Sequence, residues 1–445
     1  MASSLLQQLL SKYDSLTFDI EEYLVSTKYV DHLERRFVAF RKGMHEIESW
    51  PLKSKILNSI NGGELDHIPY YALQKKGYAS FEDLPFIEKN DIRAHPARYV
   101  STSVAVEDSW SSQSYGTTGR AVNIRYSNEY YFDVLYLPIR KAAACVGFEE
   151  CTANSVFALG IGETGDFVLV HPTNEHGLYL ELRIDPDNPA SRHRVQEAIC
   201  ELKPHFISSR PNLFNLLLDK GLDLDLDEYR PQAVMSGGEV LSLNTRRRLE
   251  EFFGCRVVNR YGMSEVGLIA AECVHGYLHV DTSAHYLEIV DESGRPAEPG
   301  EIGQIVISGL GNRVMPLIRY KTRDVGAVDL SPCECGHGSP RLVNFGGRKL
   351  PNFTLPNGQA YSPVPLTSVL FDRFPDLSEF QVVQESSDVL SLLVEFAATP
   401  PDQNDQMRSM AEIVRSALPI RDIEVRCNAV QFSKTSKFER FRSLI

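Results

Sequence analysis

The stretch "QAVMSGGEVLSLNTRRRLEEFFGCRVVNRYG", residues 232–262, constrains the fold more than any other part of the chain. "QAVMSGG" reads as a strand that ends in glycines. Ser242 is placed to cap a helix in which Leu249, Phe252 and Phe253 supply the apolar side, and Gly254 stops it. "CRVVNRYG" is the next strand. Strand, helix and strand in this order make the parallel crossover unit of a layered sheet, and such sheets bind ligands at the carboxyl ends of their strands. "SGGE" and "YGMSE" both fall at those ends, so two polar loops should face one crevice.

The rest of the 445 residues fits around this unit. Residues 1 to about 90 read mainly as helices, with turn signals at "NGG" (61–63) and "HIPYY" (67–71). The opening "MASSLLQQLLSKYDSL" has helical spacing but no positive n-region or cleavage site, and reads as a surface helix rather than a signal peptide. From about 100 to 345, β-rich runs alternate with helical patterns, as in an α/β domain. A segment with its own pattern follows "GGR": "EFQVVQESSDVLSLLVEF" reads as two strands joined by a turn, and "NDQMRSMAEIVRSAL" as a helix. That suffices for a small α+β domain, with the expected division at 1–347 and 348–445. A net charge of −13 argues against general binding to nucleic acid or to anionic membrane. No run approaches the roughly 20 apolar residues of a membrane helix. Eight cysteines in this length suggest no disulfide framework, which makes the cytoplasm the expected compartment.

Several short motifs carry chemistry. "SYGTTGRAV" (114–122) lacks the lysine of a Walker loop, and by itself reads either as a polar turn or as a cradle for phosphate oxygens. "YGMSE" (261–265) sets an aromatic ring, a hydroxyl and a carboxylate within five residues. "RYKTRD" (319–324) offers an acid for ribose hydroxyls, "GGR" (346–348) adds a cation, and Lys437 lies in the basic tail "SKTSKFER". Their common order in one chain is harder to explain as solvated loops than any one of them alone.

These motifs, together with "LPFIEKNDIRAHPARY" (84–99), "MPLIRYKTRD" (315–324) and "CECGHGSPRLVNFGGR" (333–348), resemble the adenylate-forming enzymes, in particular their phenylacetate–coenzyme A ligase-like branch. The resemblance implies an α/β fold with a large layered N-terminal adenylation domain and a small mobile α+β C-terminal domain. It also implies two half-reactions: ATP and a carboxylic acid give an acyl-adenylate, and a thiol then displaces AMP. Ser114, Gly116, Thr117, Thr118 and Gly119 would embrace the β- and γ-phosphates. Gly237, Gly238 and Glu239 would form the adenine wall, with Tyr261 stacked on the base beside Gly262. Ser264 would contact the α-phosphate and Glu265 would hold Mg²⁺. Asp324 would bind the ribose with Arg348 beside it, and Lys437 would bridge the acyl carboxylate and the α-phosphate.

The chain departs from the family pattern at four places. Tyr115 stands where a small serine is common, Ala121 and Val122 where a lysine often closes the loop, and Ser436 where glycine commonly precedes the lysine. The fourth is "GRKLPNF", where acidic residues usually follow the arginine. The family's small domain turns at the position of Leu350, and Pro351 biases that residue towards extended backbone. The expected consequence is an alternation that is biased or pivots elsewhere, with an acceptor step to coenzyme A that is slow relative to adenylation.

Cys273, His279, Cys333 and Cys335 supply four ligands suited to a tetrahedral structural Zn²⁺, with His275 and His337 as substitutes. Their spacing leaves zinc and unlinked thiols both open, and the resemblance favours zinc. Cys145, Cys151, Cys200, Cys255 and Cys427 read as small buried residues.

The expected function is ATP-dependent activation of a small aryl or acyl carboxylic acid and its transfer to a thiol, with coenzyme A as acceptor. The alternatives are a carrier-protein thiol or amine acceptor, a different oxyacid, or a non-catalytic nucleotide- or acyl-binding homologue. The chain has no phosphopantetheine-attachment signature, so a carrier protein would be a separate chain. A homodimer is an open expectation. Phe157, Phe167, Tyr179 and Phe206 are candidates for the acid pocket, and His171, His176 and Arg210 could meet a polar substituent.

Overall fold

A computed structural model gives the fold of the chain. It describes residues 27–445 apart from 46–50, 75–76, 115–121, 136, 149–154, 162–166, 171–177, 186, 225, 227, 349–352, 362, 364–365, 375, 397–399, 419–421, 428–429 and 431–439. The expected N-terminal surface helix, Cys151 and the Leu350-Pro351 junction lie outside the described residues.

A hairpin of β1 (Trp110–Ser114) and β2 (Val122–Tyr126) stands apart from the main sheet. That sheet holds β3 (Ser155–Ile161), β4 (Phe167–Val170), β5 (Leu178–Ile184), β6 (Phe206–Ser209), β7 (Ala233–Gly237) and β8 (Arg256–Met263). It continues with β9 (Gly267–Glu272), β10 (Leu278–Val280), β11 (Tyr286–Val290), β12 (Gly303–Ser308), β13 (Tyr320–Asp329) and β14 (Arg341–Arg348). Its order is β11-β12-β13-β14-β10-β9-β8-β7-β6-β3-β5-β4. Strands β5, β3, β6, β7 and β8 run parallel, and the flanking pairs are antiparallel.

The crossover unit forms as its residues dictate. Between β7 and β8 lies the helix Leu243–Phe253, where the Ser242 side chain accepts a hydrogen bond from the Thr245 amide. Such a cap is worth about 1 kcal/mol. At the other end Gly254 has φ 60°, a left-handed conformation in which a side chain would be strained. Leu249 and Phe253 bury themselves with Val234 and Val257 on one face of the sheet. On the opposite face Phe206, Met235 and Val258 pack with the helices Thr27–His45 and Leu137–Cys145.

Beyond residue 352, β15 (Phe353–Thr354) pairs with β16 (Ala360–Tyr361). A four-stranded sheet follows, of β17 (Leu377–Gln384), β18 (Val389–Phe396), β19 (Asp422–Cys427) and β20 (Phe441–Ser443), in the order β19-β18-β17-β20. Phe353, Leu370, Phe380, Val394 and Met410 share one core, to which the helices Leu366–Arg373 and Gln403–Ala417 contribute. The expected two strands and helix are therefore present.

Two expectations are corrected. "HIPYY" contains a short helix, Pro69–Ala72, because Pro69 at its start has φ already set and no N–H to lose. Cys200 is exposed rather than buried, while Cys145 is buried and Cys255 and Cys427 are half-buried.

Candidate active site

Strand β8 runs past the crossover and turns into β9. A Cβ on Gly262 would stand 2.7 Å from the Gly267 carbonyl oxygen, so the close approach of these strands requires glycine there. Just before it, the buried Tyr261 hydroxyl donates to Asp324 Oδ2 at 2.6 Å. Burial pushes that hydroxyl well above its usual pKa and the Asp324 carboxylate adds to the shift, so it remains a donor. Asp324 lies opposite Arg348 in the β13–β14 register. The Phe345 ring packs 4.4 Å from that of Tyr261.

Glu265 sits in the β8–β9 turn, clamped on both sides. The Tyr126 hydroxyl donates to the Ser264 carbonyl, and the Tyr130 hydroxyl to the Val266 carbonyl at 2.7 Å. The Glu265 side chain is itself buried, and its Oε1 accepts from Lys89 Nζ at 3.0 Å and from the Tyr320 hydroxyl at 3.2 Å. Lys89 arrives there because the preceding segment adds to the edge of β13. The Ile87 amide donates to the Arg319 carbonyl at 3.0 Å, and the Lys321 amide to the Ile87 carbonyl at 2.9 Å. The helix Lys89–Ala94 then begins. Lys89 was assigned no role from sequence, and nothing in the polar run "EKND" marks it as buried.

"RYKTRD" divides by role. Arg319 is buried, bonds both Glu288 oxygens at 3.0 and 3.2 Å, donates to the Leu84 carbonyl at 2.8 Å, and lies 4.0 Å over the Phe86 ring. It knits the "LPFIEK" segment to the sheet, while Asp324 enters the site.

At the end of β7, Gly238 has φ 85° and approaches the Arg210 side chain closely. Glu239 Oε2 accepts from the Asn212 amide at 3.3 Å, and its Oε1 is 3.8 Å from Arg210. The structure thus gathers Gly237, Gly238 and Glu239 with Tyr261, Gly262, Ser264, Glu265 and Asp324 at one end of the sheet. Ser114 ends β1 beside Val122. Gly116, Thr117, Thr118, Gly119 and Lys437 lie outside the described residues.

Residues 182–316 match the family model described as AMP-binding enzyme. The phenylacetate-coenzyme A ligase of Thermus thermophilus is 25% identical over 334 residues, which cover 68% of this chain and 72% of that relative. Both matches support the adenylate-forming superfamily, and within it the phenylacetate–coenzyme A ligase-like branch, as the kin of this chain. The phenylacetate-coenzyme A ligase of Pseudomonas putida is also 25% identical, over 57% of its own length. Among solved structures, 2-hydroxyisobutyryl-CoA ligase in its postadenylation state has a TM-score of 0.69 at 18% identity, covering 87% of this chain and 89% of that one. A benzoate CoA ligase from Burkholderia xenovorans gives 0.52 at 15% identity, covering 76% and 69%. These two establish the adenylate-forming fold.

This adenylate-forming enzyme also brings Cys273, His279, Cys333 and Cys335 together, with ligand atoms all within 4.8 Å of one another. Strand order does this: β10, which carries His279, lies between β9, which leads to Cys273, and β14, which follows the Cys-x-Cys turn. His279 Nδ1 lies 3.0 Å from the Ser339 carbonyl, and its Nε2 3.4 Å from Cys335 Sγ. A proton on Nδ1 leaves Nε2 as the ligand atom, the arrangement that orients a metal-binding imidazole. The donor set therefore fits a closed tetrahedral Zn²⁺ site. His337 lies beside the cluster, 4.9 Å from His279 between ring centroids.

The acid-pocket candidates divide. Phe206 is buried, packs 5.8 Å from Phe148, and belongs to the core. Phe157, Phe167 and Tyr179 lie on strands β3, β4 and β5, and His171 and His176 lie outside the described residues. Among the described residues no helix is long and apolar enough to cross a membrane.

Proposed function

We propose that this adenylate-forming enzyme activates a small carboxylic acid with ATP and transfers the acyl group to coenzyme A. An acid oxygen attacks the α-phosphorus of ATP, and pyrophosphate departs with the electrons of the bond broken. The coenzyme A thiolate then attacks the acyl carbonyl, and AMP leaves. A carboxylate is a poor electrophile, and adenylation supplies the leaving group it lacks.

The observation that carries this reading is the Tyr261–Asp324 bond beside the Glu265 turn, at the carboxyl ends of β7 and β8. Asp324 would accept from ribose hydroxyls while Tyr261 fixes its orientation. Glu265 is a buried carboxylate, a hard oxygen donor suited to Mg²⁺, and Lys89 and Tyr320 hold it in place. The metal, when bound, would neutralise phosphate charge as pyrophosphate leaves. Ser114, Gly116, Thr117, Thr118 and Gly119 would hold the phosphates, and Lys437 the α-phosphate and the acyl carboxylate. Residues 348–445 would form the domain that moves between half-reactions. The Cys273–His279–Cys333–Cys335 cluster would hold a structural Zn²⁺, since four protein ligands leave no open position for chemistry.

Exchange of labelled pyrophosphate into ATP, followed by coenzyme A-dependent release of AMP, tests the reading. Acid-dependent exchange and thiol-dependent AMP release are expected. Nucleotide binding without exchange for any acid would leave a non-catalytic homologue instead.

A further inference from the structure

The register of the parallel strands fixes the composition of one wall of the crevice. Side chains alternate between faces along a strand. On the face where Ala158, Phe206, Met235 and Val258 enter the helix-covered core, the next residues towards the carboxyl ends are Gly160, Ser208, Gly237 and Arg260. Across the sheet, Glu181 stands beside Ala158 and Arg183 beside Gly160. The wall therefore presents small residues, a hydroxyl and three charged groups.

Arg260 dominates it. Its side chain crosses β7 at Gly237, with Cβ 3.5 Å and Nη2 3.8 Å from where a Cβ on that glycine would stand. Nη2 then donates to Ser208 Oγ on β6 at 2.7 Å. Glu181 and Arg183 approach each other to 3.6 Å beside Gly160. Opposite them is Tyr131, stacked on Trp110 with centroids 4.5 Å apart. Burial pushes the Tyr131 hydroxyl up to about 12, with the Glu181 carboxylate adding to the rise and Arg183 opposing it.

We propose that this wall selects a short acid with a second anionic group, the dicarboxylate class, and that Arg260 binds that group. The inference rests on the adenylation reading above. Arg260 places a guanidinium on this wall near the carboxyl end of β8. A guanidinium matches a carboxylate in planar, two-point geometry. An aryl ring laid on the same wall would strip water from the charge and return no hydrogen bond. The Arg260 side chain also fills the space above Gly237, which shortens the room for an acyl tail. The sequence-based expectation of an aryl or simple acyl acid is thereby narrowed.

The test is pyrophosphate exchange by the full chain with malonate, succinate, butyrate and phenylacetate. The wild type should favour a dicarboxylate by about tenfold or more in kcat/KM. Arg260→Met should lower the dicarboxylate value on the order of 100-fold and leave the monocarboxylates nearly unchanged. Arg260→Lys should recover part of the loss, and an unaltered KM for ATP in both variants shows that they fold. A wild type that prefers butyrate or phenylacetate overturns the inference, as does a ranking that Arg260→Met leaves intact, while exchange itself still upholds adenylation. Absence of exchange with every acid overturns the adenylation reading and this inference with it.

Discussion

Lys89 and Glu265 are 176 residues apart in sequence and meet as a buried pair, Nζ to Oε1 at 3.0 Å. Both side chains are almost fully enclosed, so neither charge can be left alone without a large desolvation cost.

Lys89→Met should therefore destabilise the protein by roughly 3–5 kcal/mol, the range for breaking a buried pair. Glu265→Gln keeps the shape and an acceptor for Tyr320 but leaves the buried Lys89 charge without its partner, so it should also lose stability while weakening Mg²⁺-dependent exchange. Urea denaturation and Mg²⁺ titration of the exchange rate measure the two effects. Wild-type stability in Lys89→Met would mean that the pair contributes nothing.

Removing the Tyr261 hydroxyl takes away the 2.6 Å bond to Asp324. Tyr261→Phe should raise the KM for ATP by about tenfold, as expected for loss of a bond to a charged group. Asp324→Ala should raise it further. Neither variant should alter the ranking of acids, because Asp324 lies on β13 and Tyr261 alternates to the other face of β8 from Arg260. A changed acid preference in Asp324→Ala would contradict this division.

Protein purified without chelator should contain about one zinc per chain. Cys333→Ser should lower Tm by several degrees, on the scale of about 2–4 °C per kcal/mol for a domain of this class, and affect exchange at low temperature much less. Metal-free protein with full stability would identify the cluster as ordinary thiols and an imidazole.

Acid should destabilise the fold through His285. This side chain is buried, and burial lowers its pKa from 6.5 to about 4, against the opposing pull of Asp281 and with help from Lys141 and Arg36. The unfolded chain therefore binds the proton first. Stability is fully present above about pH 6.5 and is lost as pH falls towards 4, by up to ~3 kcal/mol. Denaturation midpoints at pH 7 and pH 5 should differ accordingly, and His285→Phe should flatten the difference. An unchanged slope in that variant would assign the acid sensitivity to other groups.

Much of the architecture was legible in local sequence. Ser242 and Gly254 bounded their helix, alternation marked β17 and β18, and the glycines of "SGGE" marked the end of β7. Tyr261, Glu265 and Asp324, which the motifs singled out, lie near one another in the fold. Phe206, a pocket candidate, proved to be core, because an aromatic residue on a strand looks the same in sequence whether it faces a ligand or a helix-covered core.

The sequence by itself determined the crossover unit, because periodicity, caps and turn glycines act within a few residues of chain, and its motifs carried the resemblance to the family. Only the tertiary structure decided which distant residues complete the site. Lys89 gained its role when Ile87 paired with β13, and the four metal-type ligands met when β10 took its place between β9 and β14. Arg260 crossed to Ser208 because parallel register set it over a glycine. Such contacts depend on strand order and register, which arise from the burial of whole faces and leave no signal in the neighbouring residues.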